Sequence, residues 1–172
     1  MEQFVHTPGF LMHYEQWWLK DRPLSIADIE FAILILRICL YAAQCLPSPS
    51  HTIDRISALT LPGIRNVCTE VGNSLAKACV ALDWKGSSVR VQHLLLAAIK
   101  SSSEGRTDQF WEGIASASQA AQKAGIQRDS SDPGNYSWEL EKEVRRRVFC
   151  SLYILDRCLS PESYHMVITH IA

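Results

Sequence analysis

Apolar residues in this chain recur at steps of three and four, and no segment shows the sustained one-in-two alternation of a half-buried strand. That rhythm predicts helices almost throughout, with prolines and glycines marking where they stop. A short first helix is predicted over Gly9 to Lys20, ending before Asp21-Arg22-Pro23. Ser25 suits an N-cap, with Asp28 three residues on as an approximate capping box. The helix it starts is predicted to run to about Cys45. Pro47 and Pro49 end it, because proline lacks an N–H and clashes with the preceding turn. Leu46 to Gly63 reads as a loop with room for a short helical turn.

Periodicity resumes from Ile64 to about Asp83, where Val67, Val71, Leu75 and Cys79 recur every four residues. Trp84-Lys85-Gly86 closes that helix. Ser87 or Ser88 caps the next one, SVRVQHLLLAAIKSS, and a third runs from Thr107 to Ala124. Gly125 suits the left-handed residue just past a helix end. Residues 88 to 124 therefore read as a helical hairpin. After a polar turn over Asp129 to Ser137, the last helix spans about Trp138 to Leu159. The expected fold is all-α: one irregular bundle of about six helices, with a helical hairpin and a central final helix. At 172 residues the chain is long enough for one real core and too short for two comfortable ones.

The final helix holds the most suggestive stretch, Arg145-Arg146-Arg147. A basic triplet on a helix grips phosphate when nothing else neutralises it. Here Glu139, Glu141 and Glu143 occupy the first turns, where the helix dipole favours acids. Glu141 precedes Arg145 by four residues and Glu143 precedes Arg147 by four, the favourable order for such pairs. Arg147 falls at the edge of the apolar stripe, suited to partial burial with Glu143 or with a carboxylate from another helix. The chain carries 17 Lys+Arg against 18 Asp+Glu, so no basic excess supports phosphate binding. The triplet reads as intrahelical pairing.

Asp156 faces apolar neighbours and no local cation. Arg37 is stranded in the apolar run from Ile29 to Leu46. Buried charges need partners. The expectation is a buried ion pair between Arg37 and Asp156, or between Arg37 and another late-helix carboxylate. Arg37, Glu30 and Gln44 also make the run a core helix rather than a membrane span.

No catalytic, cofactor-binding or metal-ligating residues are assigned. There is no nucleophile elbow or phosphate loop, and no histidines lie at metal spacing. The six cysteines (39, 45, 68, 79, 150, 158) include no C-x-x-C pair. They read as small buried thiols of a protein in a reducing compartment. The five tryptophans suit core packing more than the lining of a ligand pocket.

Three pieces in order carry a resemblance. They are FVHTPGFLMHYEQWW from Phe4, FWEGIASASQAAQKAGIQRDSS from Phe110, and ELEKEVRRRVFCSLYILDRCLS from Glu139. Together they resemble the regulatory middle region of fungal zinc-cluster transcription factors. The matching positions are the turn at Gly125, Arg128 and Asp129, the arginines at 145–147, the aromatic pair Phe149 and Tyr153, and Asp156-Arg157. Cys150 stands where the family often has tryptophan.

The resemblance implies a partial regulatory domain over residues 1–160 and a divergent tail over 161–172. It implies a nuclear regulator of transcription whose partners are proteins of the transcription machinery or an unknown small-molecule effector. DNA is then read by a zinc cluster of six cysteines and two zinc ions outside this chain, leaving this chain without a cofactor, a membrane or direct nucleic-acid contact. Because the chain begins close to the family's opening segment and lacks its usual continuation, a truncated member, a wrongly delimited gene product or a stand-alone remnant is expected. An exposed apolar patch near Phe149 and Tyr153, with poor solubility, follows from that expectation. The alternative is a stand-alone helical interaction scaffold; an enzyme is not expected.

Overall fold

A computed structural model describes residues 5–21, 25–45, 55–56, 59–127 and 136–159. Six helices dominate the described residues: α1 (Thr7–Trp18), α2 (Ile26–Cys45), α3 (Leu61–Leu82), α4 (Ser88–Ser103), α5 (Thr107–Ala124) and α6 (Tyr136–Leu159). A minimal antiparallel ladder, β1 (Arg55–Ile56) with β2 (Leu59–Thr60), leads into α3. Two residues are too few for alternation to show in the sequence. The remainder of the predicted loop over 46–63 lies largely outside the described residues.

Helix starts follow local chemistry. Ser25 and Asp28 form a reciprocal capping box: Asp28 N donates to Ser25 Oγ at 3.2 Å, and Ser25 N donates to Asp28 Oδ2 at 3.1 Å. Ser87, rather than Ser88, caps α4 by accepting from Arg90 N at 3.1 Å. Gly125 closes α5 in the left-handed region with φ 65°, where a side chain would be strained. Three starts, those of α1, α3 and α6, come earlier than expected. Thr60 caps α3 by accepting from Gly63 N. His6 caps α1 through Nδ1, which accepts from Gly9 N at 3.1 Å. Histidine is not among the usual N-cap residues, so that start is hard to read in advance.

The core is built on α4, which packs against α2, α5 and α6, while α3 lies on the far side of α2. Val91, Leu95 and Leu96 of α4 meet Phe31 and Leu34 of α2, Phe110 and Ile114 of α5, and Val148 and Leu152 of α6. Each large aliphatic sealed in this way contributes about 1.5–3 kcal/mol. The expectation of a central final helix is corrected here. Only one face of α6 is sealed; Tyr153 and Ile154 are 48% and 51% exposed. These two side chains point away from the described core, while Phe149 packs against it.

The buried stripe of α3 is also displaced from the expected one. Cys68, Gly72 and Cys79 are buried, whereas Val67 and Val71 are exposed. A step of four residues overshoots one helical turn by about 40°, so a run of fours drifts off a single face. Small residues at 68, 72 and 79 bring α3 close to α2, and the bulkier valines stay outside. The hairpin of α4 and α5 uses the same device. A Cβ added at Gly113 would lie 2.8 Å from Ala98 Cβ, so the two helices meet almost backbone to backbone.

Candidate functional site

The arginine triplet of α6 is satisfied within its own helix. Arg145 Nε lies 3.1 Å from Glu141 Oε1, and Arg147 Nε lies 2.6 Å from Glu143 Oε1. Arg146 reaches Glu143 as well, at 2.8 Å from Nε to Oε2. Hydrogen bonds from Arg146 and Arg147 hold the Glu143 carboxyl down to about 2, well below the ordinary carboxylate value. Arg146 and Arg147 thus share a carboxylate that stays ionised at any physiological pH.

Of the other motif residues, Phe149 packs against the core and Tyr153 is exposed, with the Arg157 guanidinium 5.7 Å from its ring centroid. The expected apolar patch is therefore centred on Tyr153 and Ile154 rather than on Phe149. Gly125 makes the turn after α5; Arg128 and Asp129 lie outside the described residues.

The structure does not bring Arg37 and Asp156 together. Arg37 Nη2 donates to Asn73 Oδ1 at 2.6 Å, and its guanidinium lies over Gly72 of α3. Burial lowers its pKa, and its Nε has no hydrogen-bond partner among the described residues. Asp156 is buried on α6, and burial pushes its carboxyl up against the opposing pull of Arg157. The reason is topological: Arg37 is on the α3 side of α2, whereas α6 packs on α4 and α5.

A buried ion pair does exist, between residues that sequence reasoning passed over. Glu30 and Arg90 are 1% and 4% exposed, with Arg90 Nε 2.5 Å from Glu30 Oε1. The other Glu30 oxygen accepts from Ser87 Oγ. Arg90 also donates to the carbonyls of Asp83 at 2.6 Å and Cys79 at 3.2 Å. One guanidinium therefore joins α2, the end of α3 and the start of α4. Gly86, with φ 76°, shapes the turn around it. The available signals were Glu30 interrupting an apolar run and Arg90 set between two valines.

His93 was also passed over. It is 2% exposed, neither ring nitrogen has a partner among the described residues, and burial lowers its pKa to about 3. Arg37 and Arg90 push in the same direction.

The described cysteines are spread over α2, α3 and α6, and no group of three or more His, Cys, Asp or Glu among the described residues is placed to hold a metal ion. These residues do not fit a zinc cluster.

A cavity of about 320 Å³ lies beneath α1. Phe10 and His13 come from α1, Phe31 and Leu34 from α2, Val89 and Gln92 from α4, and Glu141 and Val144 from α6. Its aromatic wall is ordered: His13 stacks on Phe31 at 4.0 Å between centroids, and Phe10 is 5.4 Å from the same ring. Helix α1 itself has no fully buried residue. It is held by these rings and by Trp17 Nε1, which donates to the Asp28 carbonyl at 3.0 Å.

A profile of the fungal specific transcription factor domain matches residues 3–161. The chain belongs to that family. Transcription factor xilB of Penicillium rubens is 56% identical over 165 residues, covering 93% of this chain and 25% of xilB. Probable transcription factor sol4 of Alternaria solani is 38% identical over 161 residues, covering 91% of this chain and 29% of that protein. The chain thus spans about a quarter of the length of these curated relatives. No solved structure matches it. Among its described residues this fungal transcription factor domain has six helices and one short ladder, and none of those helices is long and apolar enough to cross a membrane.

Proposed function

We propose that this domain regulates transcription through contacts with other proteins, inside the nucleus, without gripping DNA itself and without catalysing a reaction. The observation that carries this reading is the pairing of Arg145, Arg146 and Arg147 with Glu141 and Glu143. Affinity for duplex DNA rests largely on cations that replace condensed counterions at phosphates. Guanidinium groups already held by carboxylates are poorly suited to that role, and the net charge of −1 adds no attraction. Base reading then belongs to another part of the regulator, the zinc cluster implied by the resemblance. Exposed apolar side chains on α3 (Val67, Val71, Val80) and α6 (Tyr153, Ile154) supply the kind of surface that protein partners cover.

Fluorescence anisotropy with a labelled random duplex tests the reading. The purified chain is expected to leave the signal unchanged at micromolar concentration. Binding that weakens steeply between about 50 and 200 mM salt would overturn it.

A further inference from the structure

The cavity beneath α1 has the chemistry of a binding site. We propose that it takes a small, flat, uncharged molecule carrying both hydrogen-bond donors and acceptors, of the aromatic amide or heterocycle class. Its volume of about 320 Å³ sits at the small end of the roughly 300–1,000 Å³ range of ligand pockets.

Flatness follows from the aromatic wall. Phe31 is 2% exposed, covered by His13 stacked at an interplanar angle of 21° and by Phe10 tilted at 41°, so the planar surfaces on that side are the His13 and Phe10 rings. Leu34, Val89 and Val144 supply an apolar bed. Offset stacking against such rings adds about 0.5–1.5 kcal/mol beyond area burial.

Neutrality follows from the charges. Among the described residues, Glu141 is the single carboxylate that lines the cavity, and no lysine or arginine lines it. Glu141 Oε1 already accepts from Ser88 Oγ at 3.0 Å and Arg145 Nε at 3.1 Å. A cationic ligand would compete with Arg145, and an anionic one would meet Glu141. Burial lowers the His13 pKa, so its imidazole is neutral at pH 7 and supplies no countercharge.

The polar groups supply donors and acceptors. His6 accepts from Gly9 N through Nδ1, so in its neutral form Nε2 carries the proton and donates. Gln16 adds an amide with both functions at the rim.

Position gives the site a consequence. A molecule seated here touches α1, α2, α4 and α6 at once, and α1 is the helix with no fully buried residue of its own. Occupancy would fasten α1 to the first turns of α6, beside the Glu141–Arg145 pair. That consequence rests on the regulatory reading above. Binding itself does not, because it is measured on the chain alone and without DNA.

The test is an amide chemical-shift titration of the full chain with benzamide, nicotinamide and 2-quinolinone, with benzoate and benzamidine as charged counterparts of benzamide. At least one neutral probe is expected to give saturable shifts in Gly9 to His13 and Ser88 to Gln92. Benzoate and benzamidine are expected to bind about tenfold or more weakly than benzamide. Val144→Trp, which fills the cavity, should abolish the shifts, while Val71→Trp on the outer face of α3 should leave them intact. No saturable shift from any neutral probe overturns the proposal, as does equal binding of the charged counterparts. The comparison of charges uses the unmodified chain and stands even if Val144→Trp fails to fold. A negative outcome here leaves the DNA measurement unaffected.

Discussion

Arg90 and Glu30 sit 60 positions apart in the chain and 2.5 Å apart in space, both sealed from solvent. Removing one member of such a pair leaves an uncompensated buried charge and costs about 3–5 kcal/mol. Arg90→Met alone and Glu30→Leu alone are each expected to destabilise by that order in urea unfolding. The double variant should recover much of the loss, because an apolar pair has no charge to desolvate. Additive losses in the double-mutant cycle would show that the two residues are not coupled.

His93 makes stability depend on pH. The unfolded imidazole takes a proton near pH 6.5, whereas the buried one resists until about pH 3. Between these values the unfolded chain binds more protons, so stability falls as pH falls. This stabilising contribution is complete above pH 6.5 and is lost on acidification toward pH 3, at a slope approaching about 1.4 kcal/mol per pH unit. His93→Phe removes the titrating group and two orphaned nitrogens together. It should flatten this part of the curve and cost little stability near pH 7, as read by urea midpoints from pH 4 to pH 7.

Gly113→Ala sets two effects against each other. Alanine gains up to about 1 kcal/mol of helix propensity. The added methyl would meet Ala98 Cβ at 2.8 Å and its Cα at 3.2 Å, and overpacking of that kind costs about 1–3 kcal/mol. The backbone contact cannot swing aside, so a net destabilisation is expected, seen as a lower Tm. A raised Tm would mean that α4 and α5 slide apart without penalty.

Arg37→Met and Asp156→Asn should act independently, because Arg37 bonds Asn73 on α3 and Asp156 lies on α6. Their stability changes are expected to add within about 0.5 kcal/mol. A larger coupling would restore the cross-core pair that the geometry denies.

The legible parts of this fold were local. The Ser25–Asp28 box, the Gly125 turn and the carboxylate–arginine spacing on α6 each involve residues within a turn or so of one another. The exposed valines of α3 show where periodicity fails: a repeat of four looks like one face until small residues decide which side approaches a neighbour. The cavity was illegible for a similar reason. Phe10, Phe31, Val89 and Val144 come from four helices, and nothing in their spacing says that they converge. His93 was visible as a lone histidine, but its lack of partners is a property of the assembled core.

The α4–α5 hairpin closes through only Glu104, Gly105 and Arg106. Short closures of this kind form early, because little chain entropy is lost in making them. Glu30 of α2 is buried only beside Arg90 in the first turn of that hairpin, so α2 cannot seat on α4 without leaving an unpaired charge unless the hairpin's first helix is in place.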